Sequence, residues 1–201
     1  MLDEGRLSRV IEKMTTDCLL ITDPVSIAYL CGKKIEPGER FLGLLIGKGI
    51  EPVLILNQLF RFSEEIGVRV EYYKDTDRIT TIISKFIDKN SSLGVDKIMP
   101  ARFLIPMMEE SIASEFKLGS YAVDHTRAVK DAREQELMRA ASHINDLAMA
   151  EFKKLIHEGV TEVEVASQML DIYLKLGASG YSFEPIVAFG KNAADPHHMP
   201  D

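Results

Sequence analysis

The sequence predicts an α/β fold with a mixed sheet over residues 1 to about 124, followed by the start of a differently built unit. Short apolar runs typical of strands alternate with helical patterns in the first part. Two of these runs are separated only by a glycine-containing turn, as in a hairpin. A hairpin beside helical crossovers implies both antiparallel and parallel strand pairs. After residue 131, two successive helical patterns indicate a change of architecture.

An amphipathic helix is predicted to open the chain, because four apolar residues recur at helical spacing: Leu7, Val10, Ile11 and Met14. The run CLLIT (18–22) predicts a short buried strand that ends at Asp23-Pro24. The β-branched and aromatic run VSIAYLCG follows and ends at Gly32. FLGLLIG and PVLILN then predict the two strands of the hairpin.

The first part continues with the run VRVEYY, which predicts another strand. In TDRITTIISKFIDKN five apolar residues share one helical stripe: Ile79, Ile82, Ile83, Phe86 and Ile87. The strand-like SLGVD follows directly. Pro100 is predicted to open a helix that runs to about Phe116, and YAVD is predicted to close the series of strands.

The second part begins with a long helical pattern from Asp131 to His157 that contains neither proline nor glycine. Thr161, with Glu164 three residues later, has the form of a capping box and predicts the start of a second helix. FEPIVAFG is then predicted as a strand. We place the boundary in the charged stretch DHTRAVKDARE, which gives predicted domains over 1–125 and 126–201.

The composition is that of an ordinary globular protein, with 46% hydrophobic and 27% charged residues. The net charge of -7 argues against a nucleic-acid partner and favours a small or peptidic ligand. No run approaches the roughly 20 apolar residues of a membrane span, so no membrane partner is expected. Cys18 and Cys31 lie in apolar surroundings and the opening MLDEGRLSRVIEK does not resemble a leader, so we expect buried structural thiols and a cytoplasmic location.

The histidines are the strongest candidates for chemistry. Three of the five stand alone and are expected to be surface or core residues: His125, His143 and His157. His197 and His198 differ, because they follow Pro196 in a segment predicted to be extended, just after a glycine turn. Adjacent residues on an extended chain point to opposite faces, so only one of the two is expected to enter a given pocket.

Asp195 and His197 would share a face of such a segment and are possible metal ligands. A catalytic metal site takes about three protein ligands, however, and no third is recognisable nearby. A histidine that donates a hydrogen bond to substrate is chemically simpler, since its ring can polarise a carbonyl or transfer a proton near neutral pH. Phosphate-loop spacings are absent and Ser182 lacks a nucleophile-elbow pattern, so nucleotide binding and serine hydrolase chemistry have no support.

Several stretches resemble a known family. RAVKDAREQELMRAASHINDLAMAEF, GVTEVEVA and SFEPIVAFGKNAADPHHMPD resemble, in that order, the opening of the catalytic domain of pita-bread-fold metallopeptidases, in the Xaa-Pro dipeptidase and aminopeptidase P branch. CLLITDPVSIAYLCG resembles the creatinase-type amino-terminal domain of the same branch. The resemblance implies a creatinase-like α/β domain with a mixed sheet, followed by the first helices and strand of a pita-bread α+β catalytic domain.

The resemblance also implies an activity, the hydrolysis of the peptide bond before proline. In the family two divalent metals (Mn²⁺, Co²⁺ or Zn²⁺) are held by two Asp, one His and two Glu that follow the P-H-H segment. We therefore expect an amino-terminal portion of a longer protein that has no metal site and no activity by itself. His197 matches the family histidine that contacts substrate and stabilises the tetrahedral intermediate. Ile186 and Phe189 are candidates for the wall of the substrate pocket, with core packing as the alternative.

The expected partners are a proline-containing peptide substrate and, because an incomplete unit exposes apolar surface, a second copy in a homodimer. Two other functions remain open. One is a creatinase-like amidinohydrolase, which shares the two-domain plan without using metals. The other is a non-enzymatic pita-bread scaffold that binds other proteins.

Overall fold

In a computed structural model that describes residues 1–201, six strands form one mixed sheet. The strands are β1 (Cys18–Ile21), β2 (Leu42–Gly47), β3 (Ile50–Asn57), β4 (Arg69–Tyr73), β5 (Ser92–Val95) and β6 (Glu115–Leu118). Their order across the sheet is β4-β3-β2-β1-β5-β6. Strand β2 pairs antiparallel with β1 and β3, whereas β1–β5, β5–β6 and β3–β4 are parallel. The predicted mixed sheet and the hairpin, which is β2–β3, are confirmed.

Five helices accompany this sheet: α1 (Glu4–Lys13), α2 (Pro24–Cys31), α3 (Ile79–Ile83), α4 (Ala101–Glu109) and α5 (Ser120–Ala128). Buried residues of α1, α2 and α5 form one apolar cluster with one face of the sheet, and those of α3 and α4 form a second cluster with the other face. In β1, Leu19 and Ile21 join the first cluster, and Cys18 and Leu20 join the second. Because both faces are covered, CLLI is a continuous apolar run rather than an alternating one.

The run VSIAYLCG forms helix α2, and its ends explain why. The Asp23 side chain caps the helix by accepting hydrogen bonds from the backbone N–H groups of Val25 and Ser26. Pro24 occupies the first helical position, where its missing N–H costs nothing. Gly32 ends the helix at a φ of 69°, a left-handed conformation that favours glycine.

Two predicted elements near the end of the sheet are wrong. Helix α4 ends at Glu109 rather than near Phe116, because Ser111 adopts a left-handed conformation with a φ of 50° and the chain then enters β6. YAVD lies in helix α5 rather than in a strand. Four residues are too few to distinguish the 3.6-residue repeat of a helix from the two-residue alternation of a strand. In α5, Ala122, Val123 and Thr126 together face inward at helical spacing.

Residues Lys130–Asp201 form a second unit, separate from Met1–Val129, and the division lies close to the boundary predicted at 125/126. The second unit contains helices α6 (Ala132–Leu155) and α7 (Glu162–Lys175) and a 3-10 turn at Gly190–Ala194. Both helices begin with capping boxes, one of which is the predicted pair Thr161 and Glu164.

The strand predicted over FEPIVAFG is not formed, because the second unit offers no other strand with which its backbone can pair. None of the helices in the structure combines the length and apolar character that crossing a bilayer requires.

A buried carboxylate joins two neighbouring parallel strands of the sheet. Asp96 follows β5 directly and is 7% exposed. Its oxygens accept hydrogen bonds from the backbone N–H of Thr22 (2.5 Å), the Thr22 hydroxyl (2.8 Å) and the backbone N–H of Asp23 (2.7 Å). Thr22 and Asp23 directly follow β1, so Asp96 holds together the carboxyl ends of β1 and β5.

We expect the substitution Asp96→Ala to lower the free energy of unfolding by about 2–4 kcal/mol, because two backbone N–H groups lose a charged acceptor in a buried position. Urea unfolding of this chain, followed by circular dichroism, measures the change. Glu109→Ala, at the exposed end of α4, is the control and is expected to stay within about 0.5 kcal/mol of the native chain. Coincident curves for the two variants would contradict the proposed role of Asp96.

Candidate functional site

The P-H-H segment forms a turn, not the extended chain that the sequence predicted. After the 3-10 turn at Gly190–Ala194, the backbone N–H of His198 donates to the carbonyl of Asp195 (3.3 Å). The Asp195 carboxylate accepts from the backbone N–H of His197 (2.9 Å). Aspartate at the first position and proline at the second favour such a turn. The face-sharing of Asp195 and His197 that an extended chain would give is therefore absent.

The turn packs against the first residue of α7, Glu162, whose side chain is 4% exposed. Oε1 of Glu162 accepts hydrogen bonds from the backbone N–H of Phe189 (2.5 Å) and from Nδ2 of Asn192 (3.1 Å). Oε2 accepts from Nε2 of His198 (2.5 Å) and, at 3.4 Å, from the backbone N–H of Asp201. A single carboxylate thus contacts the beginning, the middle and the end of residues 189–201, which we call the loop segment.

These contacts keep Glu162 ionised. The hydrogen bond from the backbone of Phe189 is the main cause that lowers the pKa of Glu162 to about 2, and hydrogen bonds from His198 and Asn192 add to it against the opposing effect of burial. The carboxylate is also at the amino-terminal end of α7, where the helix dipole favours negative charge. An ionised carboxylate only accepts hydrogen bonds, so Nε2 of His198 carries a proton.

The two adjacent histidines have different environments. The side chain of His198 is 14% exposed and is held by Glu162. His197 is exposed, and its ring makes no hydrogen bond within the chain. The conformation of its backbone is fixed on one side by Asp195 and on the other by the contact of His198 with Glu162. Of the two rings, His197 is the one free to contact a ligand.

Of the two predicted wall residues, Ile186 lies just before the loop segment and Phe189 is its first residue. Ile186 is 44% exposed, and the buried residue of the run IVAFG is Val187. Phe189 is partly buried and lines an open depression of about 430 Å³ together with Thr161, Glu162, Gly190, Lys191, Asn192 and Asp201. Contact of Ile186 and Phe189 with substrate stays a prediction.

The remaining candidates from the sequence stay outside this site. His143 and His157 are exposed in the second unit, and His125 stacks against Tyr121 in the first unit, with 4.8 Å between the ring centres. Cys18 and Cys31 are both buried free thiols, as expected. Burial raises the pKa of the Cys31 thiol to about 11, so this side chain is neutral and unreactive at physiological pH.

One group of side chains has the composition of a metal site. Glu162, His198 and Asp201 each offer a ligand atom, and these atoms lie within 4.8 Å of one another. Both oxygens of Glu162 already accept hydrogen bonds, however, and Nε2 of His198 directs its proton at one of them. The group also lacks the ligands for two ions, so it does not fit the dinuclear centre that the family resemblance implies.

The sequence interpretation identified His197 but missed Glu162, which lies between the two residues of the predicted capping box. The sequence did contain one indication that Glu162 is buried. Glu162 and Val165 are three residues apart and share a face of α7, and Val165 is an apolar residue of the inward-facing stripe. A glutamate on that stripe at the first helical position indicates a buried carboxylate that needs hydrogen-bond donors.

Comparison with known proteins covers nearly the whole chain. Residues 5–129 match the family described as creatinase/prolidase N-terminal domain, and residues 136–201 match metallopeptidase family M24. An uncharacterized peptidase of Staphylococcus epidermidis is 28% identical over 205 residues, which cover 96% of this chain and 56% of that protein.

Solved structures give the same correspondence. A dipeptidase of Pyrococcus horikoshii OT3 is 26% identical with a TM-score of 0.83, and the prolidase from Pyrococcus furiosus is 26% identical with a TM-score of 0.77. The alignments cover 98% and 97% of this chain and 56% of each of those chains. This chain therefore spans a little over half the length of these relatives, and the predicted fold class is confirmed.

The lowered pKa of Glu162 predicts a pH-dependent contribution to stability. A carboxylate whose pKa is 4.5 when unfolded and about 2 when folded stabilises the fold fully above about pH 4.5, and this stabilisation is lost as the pH falls toward 2. The difference between the free energies of unfolding of the native chain and of Glu162→Gln should therefore narrow as the pH falls below about 4.5.

Urea unfolding at a series of pH values measures this difference. Glu158→Gln removes an exposed carboxylate just before the same helix and is the control, for which no narrowing is expected. A difference for Glu162→Gln that stays constant down to pH 3 would contradict the proposed hydrogen bonding of an ionised Glu162.

Proposed function

This chain belongs to the creatinase/prolidase branch of the M24 metallopeptidases, and on that premise we propose that the complete protein hydrolyses the peptide bond that precedes proline. The proposed substrates are Xaa-Pro dipeptides or peptides with proline at their second position, as for an Xaa-Pro dipeptidase or aminopeptidase P. The similarity to the Pyrococcus furiosus prolidase supports this substrate class.

The observation that carries the proposal is the P-H-H turn. It presents one exposed imidazole, that of His197, on a backbone that Asp195 and Glu162 hold from both sides. It does so in a part of the chain, residues 136–201, that matches family M24. An exposed ring on an ordered turn suits recognition of a ligand better than it suits stabilisation of the fold.

In the proposed reaction, His197 binds the oxygen of the scissile carbonyl. A ring N–H donates a hydrogen bond to this oxygen, and the bond strengthens as negative charge develops in the tetrahedral intermediate. A donor that is already oriented before the reaction needs no reorganisation when the charge appears.

The proposal also assigns a binding role to Ile186 and Phe189. Both are large apolar side chains near the turn, and neither is fully buried. We propose that they contact the side chain of the residue before proline, for which apolar walls with few polar groups are the usual environment.

Metal dependence is part of the proposal and rests on the family resemblance. Two divalent metals, Mn²⁺, Co²⁺ or Zn²⁺, would supply an activated water in the complete protein. The group formed by Glu162, His198 and Asp201 does not fit a dinuclear centre, so we assign the ligands to residues outside this chain. The chemistry proposed for His197 uses no step at a metal.

If His197 stabilises the transition state, His197→Ala in the complete protein should lower kcat by about 100- to 1,000-fold, or about 2.7–4 kcal/mol, with the bound metal unchanged. Steady-state kinetics on an Xaa-Pro dipeptide and on a longer Xaa-Pro peptide, together with elemental analysis, measure both quantities. His157→Ala removes another exposed histidine of the same unit and is expected to change kcat less than about twofold.

Other outcomes of these assays favour other functions. Loss of metal in His197→Ala would make this residue a ligand and contradict its proposed role. If the unmutated complete protein cleaves no Xaa-Pro peptide but hydrolyses creatine, the amidinohydrolase alternative is correct. Activity on neither substrate class would favour the scaffold alternative.

A further inference from the structure

Glu162 takes no part in the chemistry proposed above, yet it is the one charged side chain of the second unit that is buried. Burial of an ionised carboxylate is costly unless hydrogen bonds compensate for the lost water. Its four donors all come from the loop segment, and none comes from its own helix or from α6. The arrangement therefore orders the loop segment more directly than it stabilises the pair of helices.

We infer that Glu162 is a positioning residue for His197: its carboxylate fixes the turn that presents the His197 ring to substrate. This inference rests on the proposed function, because it assigns to Glu162 an effect on the same reaction. The effect is indirect, since Glu162 contacts the neighbouring residue His198 and not His197 itself.

The contacts provide a short path between the two residues. Nε2 of His198 donates to Glu162, which sets the position of the His198 side chain and so of its backbone. The backbone N–H groups of His197 and His198 are both bonded to Asp195. Phe189 and Asn192, bonded to the same carboxylate, fix the 3-10 turn that leads into Asp195. The backbone on each side of His197 is therefore held, while its ring remains exposed.

Such positioning has a large effect on rate. A displacement of about 1 Å in a group that must meet the reacting atoms can cost about 100-fold in rate. Removal of the carboxylate leaves four donors without their acceptor, and the loop segment then loses its common attachment point. The ring of His197 is kept, but the backbone that carries it is no longer held through His198 and Glu162.

A role confined to stability is the main alternative, and a double-mutant cycle separates the two. If Glu162 acts through His197, its removal should lower kcat in the native background but have little effect once His197 is alanine. A residue that only stabilises the fold would lower activity by the same factor in both backgrounds.

The experiment uses the complete protein with an Xaa-Pro dipeptide. We expect Glu162→Ala to lower kcat by about 30- to 100-fold, with KM changed less than about threefold. In the His197→Ala background the same substitution should change kcat less than about twofold. Glu162→Gln, which keeps the volume and one acceptor oxygen, should show a smaller loss with the same dependence on His197 and serves if the alanine variant does not fold.

Glu164→Gln is the matched control. It removes a carboxylate from the same first turn of α7, but the Glu164 carboxylate accepts hydrogen bonds only from Thr161 and none from the loop segment. Its kcat is expected within about twofold of the native value. Equal losses from Glu162→Ala in the two backgrounds would overturn the inference, as would loss of bound metal in that variant.

A second measurement does not depend on activity. NMR relaxation of this chain gives the order parameter of the His197 backbone amide, for which we expect about 0.85 in the native chain and below about 0.7 in the Glu162 variants. An unchanged order parameter would overturn the inference. If the native complete protein cleaves no Xaa-Pro peptide, the proposed function is wrong, and the order parameter alone then decides whether Glu162 positions His197.

Discussion

The candidate site depends on one constraint, the burial of the Glu162 carboxylate at the start of α7. An ionised group that is 4% exposed is stable only if its oxygens receive hydrogen bonds from the protein. The loop segment provides these donors from two backbone N–H groups and two side chains. The carboxylate can therefore stay buried only while the loop segment is ordered, and the loop segment is ordered by its hydrogen bonds to the carboxylate. The exposed position of His197 follows, because its neighbours in sequence make the contacts.

The same physical rule operates independently in the first unit. Asp96 is buried at the end of β5, and its carboxylate accepts hydrogen bonds from two backbone N–H groups at the end of β1. In both units an acidic side chain satisfies main-chain groups that regular secondary structure leaves unpaired. Asp96 joins two strands that the apolar clusters already hold, whereas Glu162 orders a segment that has no strand pairing and no residue in the buried core. Removal of the Asp96 carboxylate therefore lowers the stability of a sheet that stays assembled, whereas removal of the Glu162 carboxylate releases the whole loop segment.

Most of the fold could be predicted from the sequence, because apolar periodicity and capping residues act locally. CLLIT, the hairpin and the capping box at Thr161 are examples, and each depends on neighbours within a few residues. YAVD was assigned wrongly because a run of four residues fits both the repeat of a helix and the alternation of a strand, and only its packing on the sheet decides between them. FEPIVAFG has the composition of a strand, but pairing needs a partner that composition does not reveal. Glu162 was missed because its donors lie 27 to 39 residues further along the chain, a distance at which local patterns carry no information.

Hydrogen exchange at the Phe189 amide measures whether the Glu162 carboxylate orders the loop segment. This N–H donates to Glu162 at 2.5 Å and belongs to no helix or strand ladder, so its protection reports the contact itself. We expect slow exchange of the Phe189 amide in the native chain and in Glu164→Gln, and exchange at least about tenfold faster in Glu162→Ala. Exchange at the rate of an unfolded peptide in the native chain, or equal protection in all three proteins, would contradict this role of Glu162.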